Sequence, residues 1–269
     1  MLIHAGFDIA FECPKPTPML LQLNVHPSRV ADLRSGDIIC CDPAVAMTSY
    51  YDLFGNRVSR LEAPAGVITF SNRLVIEDSG QPDETPPDTP FTPLSRLPDE
   101  VLLYLVSSRY CDSDNLADFA WAKFGALTGG YARVREICDF VHSHIRFSYA
   151  DARATRSASD SMRETSGVCR DFAHLAIALS RCMNIPARYC TGYLGDIGVP
   201  IDPNPMDFSA WFEVYLDGRW YTMDARHNHP RIGRIVMCRG RDAADVAIST
   251  AFGAAKLVRF EVLTEERRS

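Results

Sequence analysis

Phe7, Ile9 and Phe11 alternate with Asp8, Ala10 and Glu12 near the start of the chain, the period of a half-buried strand. Leu21, Leu23 and Val25 repeat the alternation after Pro14, Pro16 and Pro18. Those prolines cannot donate to a ladder and so mark a loop or a sheet edge. Tyr50 to Phe54, Gly55-Asn56 and Arg57 to Leu61 read as a hairpin, and residues 67–70 and 74–76 add two short strands. The pattern predicts a small β-domain over residues 1–80. Residues 81–97, with Pro82, Pro86, Pro87 and Pro90, have no apolar period and read as a proline-rich linker.

From residue 98 to 269 the pattern turns helical, then mixed. Pro98 followed by Asp99 and Glu100 opens a predicted helix over 101–108. Residues 117–126 and 131–145 predict two more, separated by Gly129-Gly130. Phe147 and Tyr149 suggest a strand. In residues 169–183 Phe172, Leu175, Ala176, Leu179 and Cys182 recur at helical spacing, a buried stripe. Strands are predicted over 187–194, 210–216, 220–223 and 257–263, with Asp217-Gly218 joining the middle two as a hairpin. Helices followed by antiparallel strands indicate an α+β fold.

The 269 residues are 46% hydrophobic and 23% charged, which excludes a disordered chain or a fibre. Lys and Arg number 28 against 34 Asp and Glu, a net charge of -6. An acidic surface repels phosphate backbones, so no nucleic-acid partner is expected; only a local basic patch around Arg231, Arg234, Arg239 and Arg241 stands against that. No window approaches the ~18 continuous apolar residues of a membrane span, and the first residues lack a secretory pattern. No membrane partner is expected, and the expected compartment is the cytoplasm. The nine cysteines include no C-x-x-C pair, so neither a zinc ribbon nor a redox couple is indicated, and most read as small buried hydrophobes.

Two segments carry chemistry. In Thr165-Ser166-Gly167-Val168-Cys169-Arg170-Asp171-Phe172-Ala173-His174-Leu175 a glycine loop delivers Cys169 to the first turn of an apolar helix. Free N–H groups and the helix dipole there predict a lowered thiol pKa and a candidate nucleophile; the alternative is a structural cysteine at a helix start. Asp171 in the same turn reads as a capping or surface residue. His174, five residues on, points away from the thiol. In the second segment, residues 207–224, alternation places Ser209, Trp211 and Glu213 on one face. A two-residue turn at Asp217-Gly218 pairs Leu216 with Arg219. Trp211 then faces Asp224, which lies diagonal to Ser209; an aspartate after a strand is also a common turn former. Trp211 and Trp220 read as core residues beside the site. His142 and His144 diverge on a helix, and His227 and His229 would need a third ligand such as Asp224, so no metal site is predicted.

Gly167 to Leu175, the strand Ala210 to Tyr215, and Trp220 to Asp224 together resemble, in order, the core of the transglutaminase-like superfamily, and more narrowly its bacterial members of the cysteine protease type. The resemblance spans roughly residues 100–265. It implies a papain-like core preceded by a small β-domain, and a Cys-His-Asp triad with Cys169 as nucleophile and Asp224 as the acid that orients the histidine. Where members commonly read His-Ala-Trp this chain has Ser209-Ala210-Trp211. A hydroxyl cannot stand in for imidazole, because its pKa lies far above neutrality. His227 could supply the base if its loop folds back toward Cys169; otherwise it is a loop histidine. The implied reaction is attack of Cys169 on an amide or acyl carbonyl of a peptide or protein, giving a thioester resolved by water or an amine, with no cofactor and, absent an EF-hand loop, no calcium. The alternative is a binding protein that keeps the fold but has lost the base. The sequence carries no sign of oligomeric state.

Overall fold

The computed structural model describes residues 1–267. The chain begins with strands β1 (Leu2–Cys13), β2 (Thr17–Leu21), β3 (Cys40–Asp42), β4 (Thr48–Tyr51), β5 (Arg57–Ala63) and β6 (Gly66–Glu77). Helices α1 (Asp99–Leu102), α2 (Ala117–Phe124) and α3 (Tyr131–His144) follow. Then come β7 (Arg146–Phe147), α4 (Ala158–Glu164), β8 (Ser166–Gly167) and α5 (Cys169–Cys182). Strands β9 (Ala187–Tyr193), β10 (Ser209–Leu216), β11 (Arg219–Met223), β12 (Ile235–Gly240), β13 (Ser249–Ala251) and β14 (Lys256–Glu266) complete the chain's mixed helix and sheet architecture.

Three four-stranded sheets run in the orders β14-β1-β6-β3, β13-β2-β5-β4 and β11-β10-β9-β12. The last strands therefore complete sheets begun by the first: Phe7 pairs with Val262 and Met19 with Ala251. β1 is longer than its alternation suggested because it is flanked on both sides and Ala5, Gly6 and Phe7 are all buried, which blurs a period-two pattern. The two short strands expected at 67–70 and 74–76 are one, β6, because Ser71, Asn72 and Arg73 keep the ladder with Asp8, Phe7 and Gly6. The helix expected over 101–108 stops after one turn. Ser107 Oγ bonds Asp114, and the Ser108 N–H donates to Cys111 O at 3.0 Å, local bonds that compete with helix continuation. No helix among the described residues is long and apolar enough to cross a membrane.

α5 lies at the centre. Ala173 and residues 175–179 are buried, and the helix touches β9 and β10 on one side and α2, α3 and α4 on the other. Its stripe is broader than the sequence stripe because it is enclosed on both flanks. The proline tract is pinned onto this core: Asp83 accepts from Arg234 Nε at 2.9 Å and from the Arg231 N–H at 3.0 Å, and Glu84 O accepts from Tyr131 Oη at 3.2 Å.

Candidate active site

The start of α5 is fixed by a buried ion pair. The Val168 N–H donates to Asp171 Oδ2 at 2.8 Å, and Arg156 Nη1 donates to the same oxygen at 3.0 Å. Asp171 and Arg156 are both buried, so Asp171 caps the helix as expected and is not a surface residue. Gly167 makes the cap possible: a Cβ there would stand 2.5 Å from Asp171 Oδ2. On the other side β8 pairs in parallel with β7, and the Ser148 N–H donates to Gly167 O at 2.9 Å. Cys169 is thus held at the first position of a helix whose entry cannot slide.

Cys169 is half-buried and opens on a cavity of about 300 Å³. Tyr149, Asp207, Ser209, Arg226, His227 and Arg231 line the same cavity. Burial pushes the Cys169 thiol up to about 11, and the nearby Asp207 charge adds to the rise. The Arg226 charge and the N–H groups of Ala210 and Arg170 pull the other way and are outweighed. The lowered pKa expected from the helix start is therefore reversed: desolvation of the anion exceeds what the helix terminus supplies. Asp207 is itself raised, first by desolvation, with the Phe208 N–H and Arg226 opposing. Ser209 begins β10, and its buried Oγ has no hydrogen-bond partner.

The hairpin register places Leu216 opposite Arg219 and Phe212 opposite Met223, as the two-residue turn predicted. Asp217 and Gly218 take φ of 46° and 83°, the left-handed pair of a primed turn. Asp224 then follows β11 in the interior. Its Oδ1 accepts the N–H groups of Arg226 at 2.9 Å and His227 at 3.0 Å. Its Oδ2 accepts His227 Nδ1 at 2.8 Å and Arg234 Nη2 at 2.9 Å. Burial alone would raise the carboxyl, but Arg234 and His227 hold it far below the usual carboxylate range. The His227 pKa is lowered, chiefly by desolvation and against the pull of Asp224. A neutral His227 donates Nδ1–H to Asp224, which leaves Nε2 as an acceptor, and Arg226 Nη1 lies 2.8 Å from it. The Arg226 guanidinium also covers the Phe147 ring, 4.0 Å from its centroid.

Cys169, Ser209 and His227 thus share one cavity, with Asp224 behind His227. Among the described residues no hydrogen bond joins His227 to Cys169. His174 is buried in the core, stacked on Tyr110 at 5.2 Å and accepting the Ala243 N–H at 3.1 Å. His142 Nδ1 contacts Arg226 O at 2.8 Å while His144 Nε2 contacts Met162 O at 2.8 Å, the divergence expected on a helix. Among the described residues no group of three or more His, Cys, Asp or Glu could hold a metal ion. The basic patch is not a patch: Arg231, Arg234, Arg239 and Arg241 pair with Asp196, with Asp83 and Asp224, with Glu213 and with Asp245. Trp211 is buried beneath the Arg234 guanidinium, and Trp220 lies edge-on to Tyr104. Sequence reasoning passed over Asp207 and Arg226. The only available signal was adjacency, Asp207 standing two before Ser209 and Arg226 next to His227.

Comparison with known proteins gives four findings. Residues 120–225 match the family described as Transglutaminase-like superfamily. An uncharacterized protein of Mycobacterium leprae is 32% identical over 97 residues, 34% of this chain and 33% of that protein. An uncharacterized protein of Mycobacterium tuberculosis is 29% identical over 122 residues, 42% of this chain and 39% of that protein. The chain thus matches 33% and 39% of the length of these curated relatives. A crystal structure from Cytophaga hutchinsonii, described as "a Putative Cysteine Protease", matches with a TM-score of 0.85 at 29% identity, covering 100% of this chain and 91% of that chain.

Proposed function

We propose, from the match of residues 120–225 to the Transglutaminase-like superfamily, that this chain is a thiol-dependent amide or acyl hydrolase or transferase of the cysteine protease type. Cys169 is the nucleophile, and the Asp224–His227 pair carries its proton in place of the imidazole missing at Ser209. The observation that carries the reading is that Asp224, the position matching the family's triad acid, holds an imidazole after all, 2.8 Å from its Oδ2 and in the cavity of Cys169.

A thiol pushed up to about 11 is protonated at neutral pH, so a general base must take its proton during attack, and a neutral imidazole suits that task. Once Arg226 leaves His227 Nε2, the Sγ–C bond forms as the thiol proton passes to Nε2 and the carbonyl π electrons move onto oxygen. The first N–H groups of α5, which have no intrahelical partner, stabilise that oxyanion. Collapse to the thioester expels the amine, which takes the proton from His227. Water or a second amine then attacks the thioester carbonyl while His227 takes its proton; the Sγ–C bond breaks, the acid or new amide leaves, and His227 returns the proton to the sulfur.

Acetylation by p-nitrophenyl acetate, followed by intact mass, tests the reading. The expected result is an acetyl adduct mapped to Cys169 and absent from Cys169→Ala. His227→Ala should slow its formation by roughly 10²–10⁴-fold, the usual worth of a positioned base. An equal rate in His227→Ala would remove the assignment. One observation favours the alternative of a binding protein that has lost its base: Arg226 Nη1 occupies the imidazole's free nitrogen. That reading expects no adduct until Ser209→His restores one.

A further inference from the structure

We propose that Arg226 sets the specificity of the cleft: a carboxylate carried by the acyl substrate draws its guanidinium off His227 and thereby releases the base to Cys169. This deepens the catalytic reading above and rests on it.

Of the two guanidinium groups lining the cleft, Arg231 has Asp196 at 3.5 Å, whereas no carboxylate of the described residues lies within 4.0 Å of Arg226. The side-chain partner of Arg226 is the lone pair of a neutral imidazole, at 2.8 Å, a weaker acceptor than a carboxylate, which takes paired charge-assisted bonds from the guanidinium fork. The face of that fork is covered by Phe147 at 4.0 Å, so its edge remains for a ligand. The backbone beneath it is fixed, with the Arg226 N–H on Asp224 Oδ1 at 2.9 Å and its carbonyl on His142 Nδ1 at 2.8 Å. Only the side chain is free to swing.

The acids of the cleft do not fill this role. Asp202 Oδ1 accepts the backbone N–H of Asn204 at 3.0 Å and its side-chain Nδ2–H at 2.7 Å, and Asp207 is held by the Phe208 N–H. Both belong to the connection between β9 and β10, and both sense the Arg226 charge without bonding its guanidinium. Among the described residues no acid takes a hydrogen bond from the Arg226 guanidinium, whose side-chain partner is His227, so its edge stays open to a substrate carboxylate.

Iodoacetate and iodoacetamide make a matched pair of probes for the folded chain, since they differ in carrying a carboxylate or a neutral amide. In either case a sulfur–carbon bond forms, iodide leaves and the thiol proton passes to His227. The ratio of iodoacetate to iodoacetamide rates at Cys169, mapped by peptide mass, should exceed that of free cysteine by about tenfold or more, the worth of one hydrogen bond to a charged group. Arg226→Ala should drop the ratio to the free-cysteine value and at the same time raise the iodoacetamide rate, because His227 is no longer covered. Arg226→Lys should keep part of the preference and Arg226→Gln none; either carries the test if the alanine variant misfolds. A wild-type ratio equal to that of free cysteine, or one unmoved in Arg226→Ala and Arg226→Gln, overturns the proposal. His227→Ala separates the two readings. If it slows both reagents while the ratio shows no dependence on Arg226, the catalytic reading stands and the specificity role falls; if it slows neither, the base assignment falls and the specificity role with it.

Discussion

Cys169 is where the residue scale decides the chemistry. A helix start favours its thiolate and enclosure disfavours it, and enclosure together with Asp207 prevails. A raised thiol pKa leaves less thiolate at any given pH. Alkylation of Cys169 by iodoacetamide in His227→Ala, where no base assists, should therefore rise with pH through a midpoint near 11 instead of the ~8.5 of a free cysteine. Asp207→Asn in that background removes a charge that opposes the thiolate, and the midpoint should fall. An unmoved midpoint would show that Asp207 does not act on the sulfur. Cys169, Ser209 and Asp224 were each legible in the sequence, because the residue types sit in short segments of regular structure. The direction of the thiol pKa was not, because it is set first by burial and then by Asp207, against the pull of Arg226, and that enclosure is assembled from segments outside the helix.

At the scale of elements, α5 and the β10–β11 hairpin hold the site. The hairpin register followed from the two turn residues alone, because Asp217 and Gly218 can both take positive φ and a two-residue loop leaves one register. The cap of α5 is different. Asp171 looked like an ordinary first-turn acid, yet it is sealed against Arg156 and the Val168 N–H. Asp171→Ala takes one partner from Arg156, which keeps Glu164 at 2.9 Å, and frees the Val168 N–H, and should cost about 1–3 kcal/mol in denaturant unfolding. Gly167→Ala pushes a methyl into Asp171 and should cost about 1–3 kcal/mol, with slower modification of Cys169 as the helix entry shifts. A loss below about 0.5 kcal/mol in either variant, the range of an ordinary surface change, would show that the entry to α5 is not rigid.

The whole molecule ties its ends together: β14 lies on β1 and β13 on β2, and one apolar core runs from Ile3 to Val246. Ending the chain at residue 248 strips an edge from both sheets and uncovers the ladder of β1. The truncated chain should lose cooperative thermal unfolding or melt at least about 10 °C lower, and an unchanged melting curve would show that the terminal strands are appendages. The sequence by itself determined the helix that carries Cys169, the hairpin that delivers Asp224, and the α+β class, since each depends on periodicity and turn chemistry within a few tens of residues. Tertiary structure alone decided that His227 sits on Asp224, that Arg226 covers its free nitrogen, and that the last strands complete the first sheets. These are meetings between segments far apart in the chain or within an irregular turn, where enclosure and charge are set by neighbours that no local pattern records.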